Sequence, residues 1–107
     1  APDSRHVAVT VMNGSNKPTD SPFHGPGMVR MLRIGDGKLS SVGEARVGTW
    51  SQGTAFSPDG RTLLVGNMVE RDISVLRVAE DGKLTDTGTR LRVGGGSAAL
   101  RTAERAR

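Results

Sequence analysis

The stretch GTAFSPDGRTLLVGN, residues 53–67, joins two apolar runs through Ser57-Pro58-Asp59-Gly60. Proline presets φ at the first central position of a turn, and glycine accepts positive φ at no steric cost. The run TLLVG (62–66) is almost continuously apolar, as expected of a strand covered on both faces. The same pattern opens the chain. In APDSRHVAVT (1–10), Pro2-Asp3-Ser4-Arg5 stands for Pro58-Asp59-Gly60-Arg61 at an offset of 56 residues. The first copy therefore starts at a turn whose preceding strand is missing.

The repetition continues along the chain. Leu32-Arg33-Ile34 matches Leu76-Arg77-Val78 at an offset of 44, Asp36-Gly37-Lys38-Leu39 matches Asp81-Gly82-Lys83-Leu84 at 45, and Val47-Gly48 matches Val93-Gly94 at 46. A period near 45 with a longer first copy places an insertion in NGSNKPTDSPFHGPG, residues 13–27. In the complete copy, residues 54–57, 62–66, 72–78 and 84–93 read as strands, with a hairpin turn at Asp81-Gly82 and a more polar fourth strand. Four antiparallel strands in such a period match a β-propeller blade. A β-sandwich has similar strand spacing but does not require its second half to repeat the first.

The expected fold is all-β, with about two four-stranded antiparallel blades of a partial propeller. Residues 1–48 form a blade lacking its first strand, and residues 49–93 a complete one. Residues 94–107 supply the first strand of a further blade and a basic tail. Within VGGGSAALRTAER, residues 98–102 take the place of an innermost strand. Their pairing with the strand at 6–11 would rebuild the first blade from both termini. Association of several copies toward a closed ring is the alternative.

Composition agrees with this architecture. The 107 residues include 15 glycines, 5 prolines and no cysteine, so disulfides and thiolate metal sites are excluded. With only Phe23, Trp50 and Phe56 as aromatics, the core must come from Val, Leu, Ile, Met and Ala. A net charge of +4 is scattered along the chain, apart from Arg90, Arg92, Arg101, Arg105 and Arg107 near the end, and reads as an anion patch or as a solvated surface with a basic tail. A nucleic-acid partner is disfavoured, because grooves for single strands combine positive charge with stacking rings. No apolar stretch is long enough for a membrane helix. A start at Ala1 without a leader pattern suggests an excised or processed piece and leaves the compartment open, whether periplasmic, secreted or cytoplasmic.

QGTAFSPDGRTLLVGN (52–67), ISVLRV (73–78) and DGKLTDTG (81–88) resemble the seven-bladed, YVTN-type propellers of the lactonase-like superfamily, over nearly the whole chain. The resemblance implies the fold. For a whole propeller it also implies a 6-phosphogluconolactonase or muconate cycloisomerase type of activity on a small lactone or carboxylate. No catalytic position of those enzymes is matched here. The reading for this chain is a non-catalytic scaffold that binds a ligand or protein, with membership of such an enzyme as the alternative.

Propeller topology brings the four-to-one and two-to-three connections to one end. That end holds residues 13–27, 48–52, 67–71 and 94–97. The candidate ligand-binding residues there are Asn13, His24, Trp50, Gln52, Asn67, Glu70 and Arg71. His24 has the most versatile chemistry, as a ligand, a base or a local hydrogen-bonding group. In NMVERD (67–72), Glu70 or Asp72 suits a general base or a cation ligand with Asn67, or else forms a solvated, self-paired turn with Arg71. Trp50 stacks on a ligand or packs between blades. His6 lies at the other end and reads as structural. No metal-ligand spacing, phosphate-binding loop or nucleophile elbow is present, so no cofactor is implied. The expected partners are the remaining blades or further copies of the chain, with a small molecule as ligand.

Overall fold

A computed structural model describes residues 1–95 and residue 100. Seven strands run in the order β1 (His6–Val11), β2 (Met28–Gly35), β3 (Lys38–Arg46), β4 (Ser51–Phe56), β5 (Thr62–Asn67), β6 (Asp72–Val78) and β7 (Leu84–Arg92). They form a three-stranded sheet, β1-β2-β3, and a four-stranded sheet, β4-β5-β6-β7, with every pairing antiparallel. This is an all-β architecture of partial propeller blades. The strand placed at 98–102 lies outside the described residues.

The two sheets share their strand register over much of their length. Val7 opposite Leu32 corresponds to Leu63 opposite Leu76, and Val29 opposite Ala45 corresponds to Ile73 opposite Leu91. Both sheets also carry an irregularity at the same height, between Met31 and Leu32 and between Ser74 and Leu76. Each change of offset has a structural cause. The β1–β2 connection spans residues 12–27 whereas β5–β6 needs only 68–71, which accounts for the fall from 56 to 44.

The rise to 45 arises at the Asp-Gly turns. Asp36 and Gly37 have φ of 51° and 71° between the paired Gly35 and Lys38, a two-residue type I′ turn. The second copy holds one residue more. There the Gly82 N–H donates to the Ala79 carbonyl at 2.9 Å, and Gly82 alone turns left-handed, at φ 90°. The same dipeptide thus closes two different turns. The last step, to 46, is an extra residue in the β7 irregularity, where Gly88 has φ 81°.

Strand β4 begins at Ser51, three residues before the expected start. Gly53, at φ 72°, sits as a bulge inside the strand rather than at its boundary.

Because side chains alternate across a strand, each sheet has two faces. Ala8, Val29, Met31 and Ala45 share the back of the three-stranded sheet. They meet the front of the four-stranded sheet, which presents Phe56, Leu63, Val65, Leu76, Val78 and Leu84. Val29, Met31, Leu63, Val65 and Leu76 are fully buried. Burying each such side chain is worth about 1.5–3 kcal/mol, so this stack is the main stabilising contact.

Gly82 fits beneath the stack. A Cβ there would lie 2.6 Å from Val42 Cγ2 and 3.1 Å from the His6 ring. Gly82→Ala should therefore cost about 2–4 kcal/mol and lower the melting temperature by roughly 10 °C or more. Gly37→Asn, at a turn with open space around it, should stay within about 1 kcal/mol. Thermal denaturation of the two variants checks the contrast.

Candidate functional site

The connections 12–27, 47–50 and 68–71 gather at one end of the sheets and are tied together by side chains. Asn67 closes β5 and is buried. Its Oδ1 accepts from the Gly48 N–H at 2.8 Å, and its Nδ2 donates to Asp72 Oδ1 at 2.7 Å and Ser74 Oγ at 2.8 Å. Both Glu70 carboxylate oxygens accept from the Thr49 N–H, at 2.8 and 2.9 Å. The Trp50 N–H donates to Ser15 Oγ at 2.9 Å across the inserted loop. Asn67 at the end of β5, with Glu70 and Ser15 from two loops, thus fixes three successive amides of the β3–β4 connection.

Close backbone approach makes two glycines necessary. A Cβ on Gly27 would collide with the Gly48 carbonyl, and one on Gly48 would lie 2.5 Å from Asn67 Cγ and 2.6 Å from Glu70 Oε2. The Val47 N–H donates to the Gly27 carbonyl at 2.8 Å and draws the same segments together.

Trp50, Asn67 and Glu70 are brought into this one cluster. Asn13 and His24 remain within the inserted loop. Asn13 Nδ2 donates to the Pro26 carbonyl at 3.0 Å, and His24 Nδ1 lies 3.0 Å from the Lys17 carbonyl. With Nδ1 donating, the neutral imidazole keeps Nε2 as its acceptor. Gln52 lies on the back of β4, paired with Gly66. Arg71 is exposed, with φ 58°. Glu70, Arg71 and Asp72 do not form the self-paired turn, because both carboxylates are engaged by Thr49 and Asn67 instead.

Sequence reasoning missed Ser15, Ser51 and Phe23. Ser15 reaches across 35 residues, a contact that no local pattern signals. Ser51 Oγ and Trp50 Nε1 are buried without a partner among the described residues. Phe23 is 77% exposed on the inserted loop, where an aromatic between proline and histidine was the available signal.

At the opposite end, the Pro2-Asp3 and Pro58-Asp59 turns flank a cavity of about 320 Å³ that also includes His6 and Arg61. Ser4 and Gly60 occupy the same left-handed position in the two turns, at φ 58° and 72°. Asp3 Oδ1 accepts from the Arg5 and His6 amides, and Oδ2 lies 2.7 Å from His6 Nδ1. These contacts, the Arg5 amide foremost, hold the Asp3 carboxyl down at about 2. The Arg90 guanidinium, then the Gly88 amide, does the same for Asp86, also at about 2.

The two sheets and their shared register are those of partial propeller blades. Among solved structures the chain is similar to PpgL, the periplasmic gluconolactonase of Pseudomonas aeruginosa. The two are 27% identical with a TM-score of 0.63, over 79% of this chain and 24% of that one. The chain thus spans about a quarter of that protein's length. No protein-family model and no curated protein matches the chain.

Two outcomes follow from this geometry. Asn67→Ala removes three hydrogen bonds and leaves the Gly48 amide without its acceptor, which should cost about 2–4 kcal/mol in denaturant unfolding. Acid should act through Asp3 and Asp86. Their folded values lie below the ordinary 3.8, so their stabilisation is complete above about pH 4 and is lost as pH falls toward 2. Asp3→Asn should make that acid limb shallower, as read from unfolding midpoints between about pH 5 and pH 2.

Proposed function

We propose that this chain is a two-blade portion of a seven-bladed, lactonase-like propeller. Its end formed by 12–27, 47–50 and 68–71 faces a small lactone or the corresponding carboxylate, and the chain alone binds that ligand without turning it over. The share of PpgL that is covered, 24%, supports reading the chain as a portion of a longer propeller. In this reading the three-stranded sheet is a blade without its innermost strand.

One observation carries the non-catalytic part of the reading: the groups suited to acid–base work are committed to holding the loops. Glu70 spends both oxygens on one backbone amide, and Asn67 spends its whole amide group on Gly48, Asp72 and Ser74. Two blades, moreover, cannot enclose a central channel. The same end still offers the exposed Phe23 ring, the half-buried Trp50 and His24 Nε2, a set that suits a polar ring compound. A second reading, favoured by the 27% identity with PpgL, assigns lactone hydrolysis to the whole ring, with the catalytic groups shared among several blades.

Glucono-δ-lactone and gluconate are the probes. Amide shifts should move in 12–27, 47–50 and 68–71, with affinity on the order of 1 mM and about three- to tenfold weaker binding in Phe23→Ala. Lactone hydrolysis should proceed at the spontaneous rate. Accelerated hydrolysis would overturn the scaffold reading, and shifts confined to the opposite end, or none, would overturn the placement of the site.

A further inference from the structure

Asparagine is chemically labile where the amide nitrogen of the next residue is free to attack its side chain. Most such amides in this chain are held by a carbonyl. After Asn16, the Lys17 N–H donates to the Gly14 carbonyl at 2.9 Å, and after Asn67 the Met68 N–H donates to the Trp50 carbonyl at 3.3 Å. The Gly60 and Gly82 amides that follow Asp59 and Asp81 donate to the Ser57 and Ala79 carbonyls, each at 2.9 Å. Asn13 differs. Among the described residues no backbone carbonyl accepts the Gly14 N–H, and glycine puts no side chain over its nitrogen. Asp36-Gly37 lies in a similar turn, but a carboxylate loses water far less readily than a carboxamide loses ammonia.

The surroundings of Asn13 give such a change a consequence. Residues 12–15 form a type I′ turn, in which the Ser15 N–H donates to the Met12 carbonyl at 2.8 Å, with φ 51° at Asn13 and 77° at Gly14. Asn13 is exposed to water, and its Nδ2 donates to the Pro26 carbonyl at 3.0 Å, tying the start of the inserted loop to its end. The two arms are closely opposed there. A Cβ on Gly14 would collide with the Phe23 carbonyl, and one on Gly25 would lie 2.6 Å from the Asn13 carbonyl oxygen and 2.9 Å from its Nδ2. The Asn13-Gly14-Ser15 triplet also has the form of a glycan acceptor, but Ser15 is buried with its hydroxyl taken by the Trp50 amide.

We propose that Asn13 is a site of spontaneous deamidation, and that its conversion to aspartate or isoaspartate unclips the inserted loop that carries Phe23 and His24. The Gly14 nitrogen forms a bond to Asn13 Cγ, the Cγ–Nδ2 bond breaks, and Nδ2 leaves as ammonia with the Gly14 amide proton. Water then opens the cyclic imide at Cγ, giving aspartate, or at the Asn13 backbone carbonyl carbon, giving isoaspartate with the chain running through Cβ and Cγ. Both products hold a carboxylate in place of the amide, which has no N–H to give the Pro26 carbonyl. Isoaspartate also adds a methylene to a backbone that fits closely against residues 23–25. Ring closure needs the Asn13 backbone rotated out of the type I′ turn, so opening of the loop sets the rate.

Incubation of the folded chain in mildly alkaline buffer, followed by peptide mass analysis, tests this without any ligand. A hydroxyl should replace an amino group at Asn13, in two products that separate as aspartate and isoaspartate, while Asn16 and Asn67 stay intact. Conversion should be about tenfold or more slower than in the chain unfolded by denaturant, because the turn must open first. Asn13→Ser should abolish it. Should that variant unfold, Asn13→Gln does the same by moving the carboxamide one carbon further from the Gly14 nitrogen. Asn13→Asp, which installs the carboxylate at once, should shift the amide signals of Phe23, His24 and Gly25 and speed chymotryptic cleavage at Phe23 about three- to tenfold. A folded chain that stays unconverted while the unfolded chain converts overturns the proposal, as does conversion that comes first at Asn16 or Asn67. An Asn13→Asp chain with the parent's signals and cleavage rate overturns the unclipping.

Discussion

A propeller-type sheet with apolar residues on both faces cannot satisfy itself. Alternation along the strands sends Val29 and Met31 to one side of β2 and Leu32 and Ile34 to the other, so one neighbouring sheet can cover only half of them. The internal stack resolves this for the back of the first sheet and the front of the second. Everything else in the chain is arranged around that contact. The turns must set strand register so that Val29 and Met31 face Leu63, Val65 and Leu76 together, because a one-residue slip would turn the whole set outward. Gly82 must lack a side chain because Val42 and His6 close in above it.

The connections 12–27, 47–50 and 68–71 answer a different requirement. The β3–β4 connection carries the chain from the outermost strand of one sheet to the innermost strand of the next, so it cannot lie in either ladder, and its amides need other partners. Asn67, Glu70 and Ser15 supply them. The second copy has Asn67 where the first has Val11, and the difference follows from the loops. After the four-residue β5–β6 connection Asn67 reaches Gly48 directly, whereas the long 12–27 loop brings Ser15 to Trp50.

Much of this architecture was legible. Turn chemistry and a drifting period of 44 to 46 residues located the strands, and each step in the drift proved to be one insertion at a definable place. What escaped the sequence was the destination of polar side chains. NMVERD displays two carboxylates and an amide together, which resembles a chemical site, yet their partners are backbone amides some 20 residues away and neighbours within the same sheet. Long-range side-chain-to-backbone bonds have no periodicity and leave no composition signal. Glycine within β4 misled for a related reason, since a bulge and a strand boundary call for the same residue.

Backbone strain adds a further distinction between the two ends. Ser4 and Asp36 have left-handed φ in the turns at the Pro-Asp and Asp-Gly end, where short polar residues adopt it readily. Asn13, Trp50 and Arg71 have it in the connections at the other end, and for a tryptophan or an arginine that conformation costs about 1–3 kcal/mol. Such strain persists only where the surroundings over-determine the backbone. Trp50 is pinned by Ser15 on its N–H and by the Met68 amide on its carbonyl at 3.3 Å, and Arg71 by the Asn67 carbonyl at 3.1 Å and the Val93 amide at 3.1 Å. Asn67 and Glu70, two of the candidate ligand contacts, therefore belong to the clamp. Their work is to hold the strained connection that carries Trp50, beside a loop that presents Phe23 and His24.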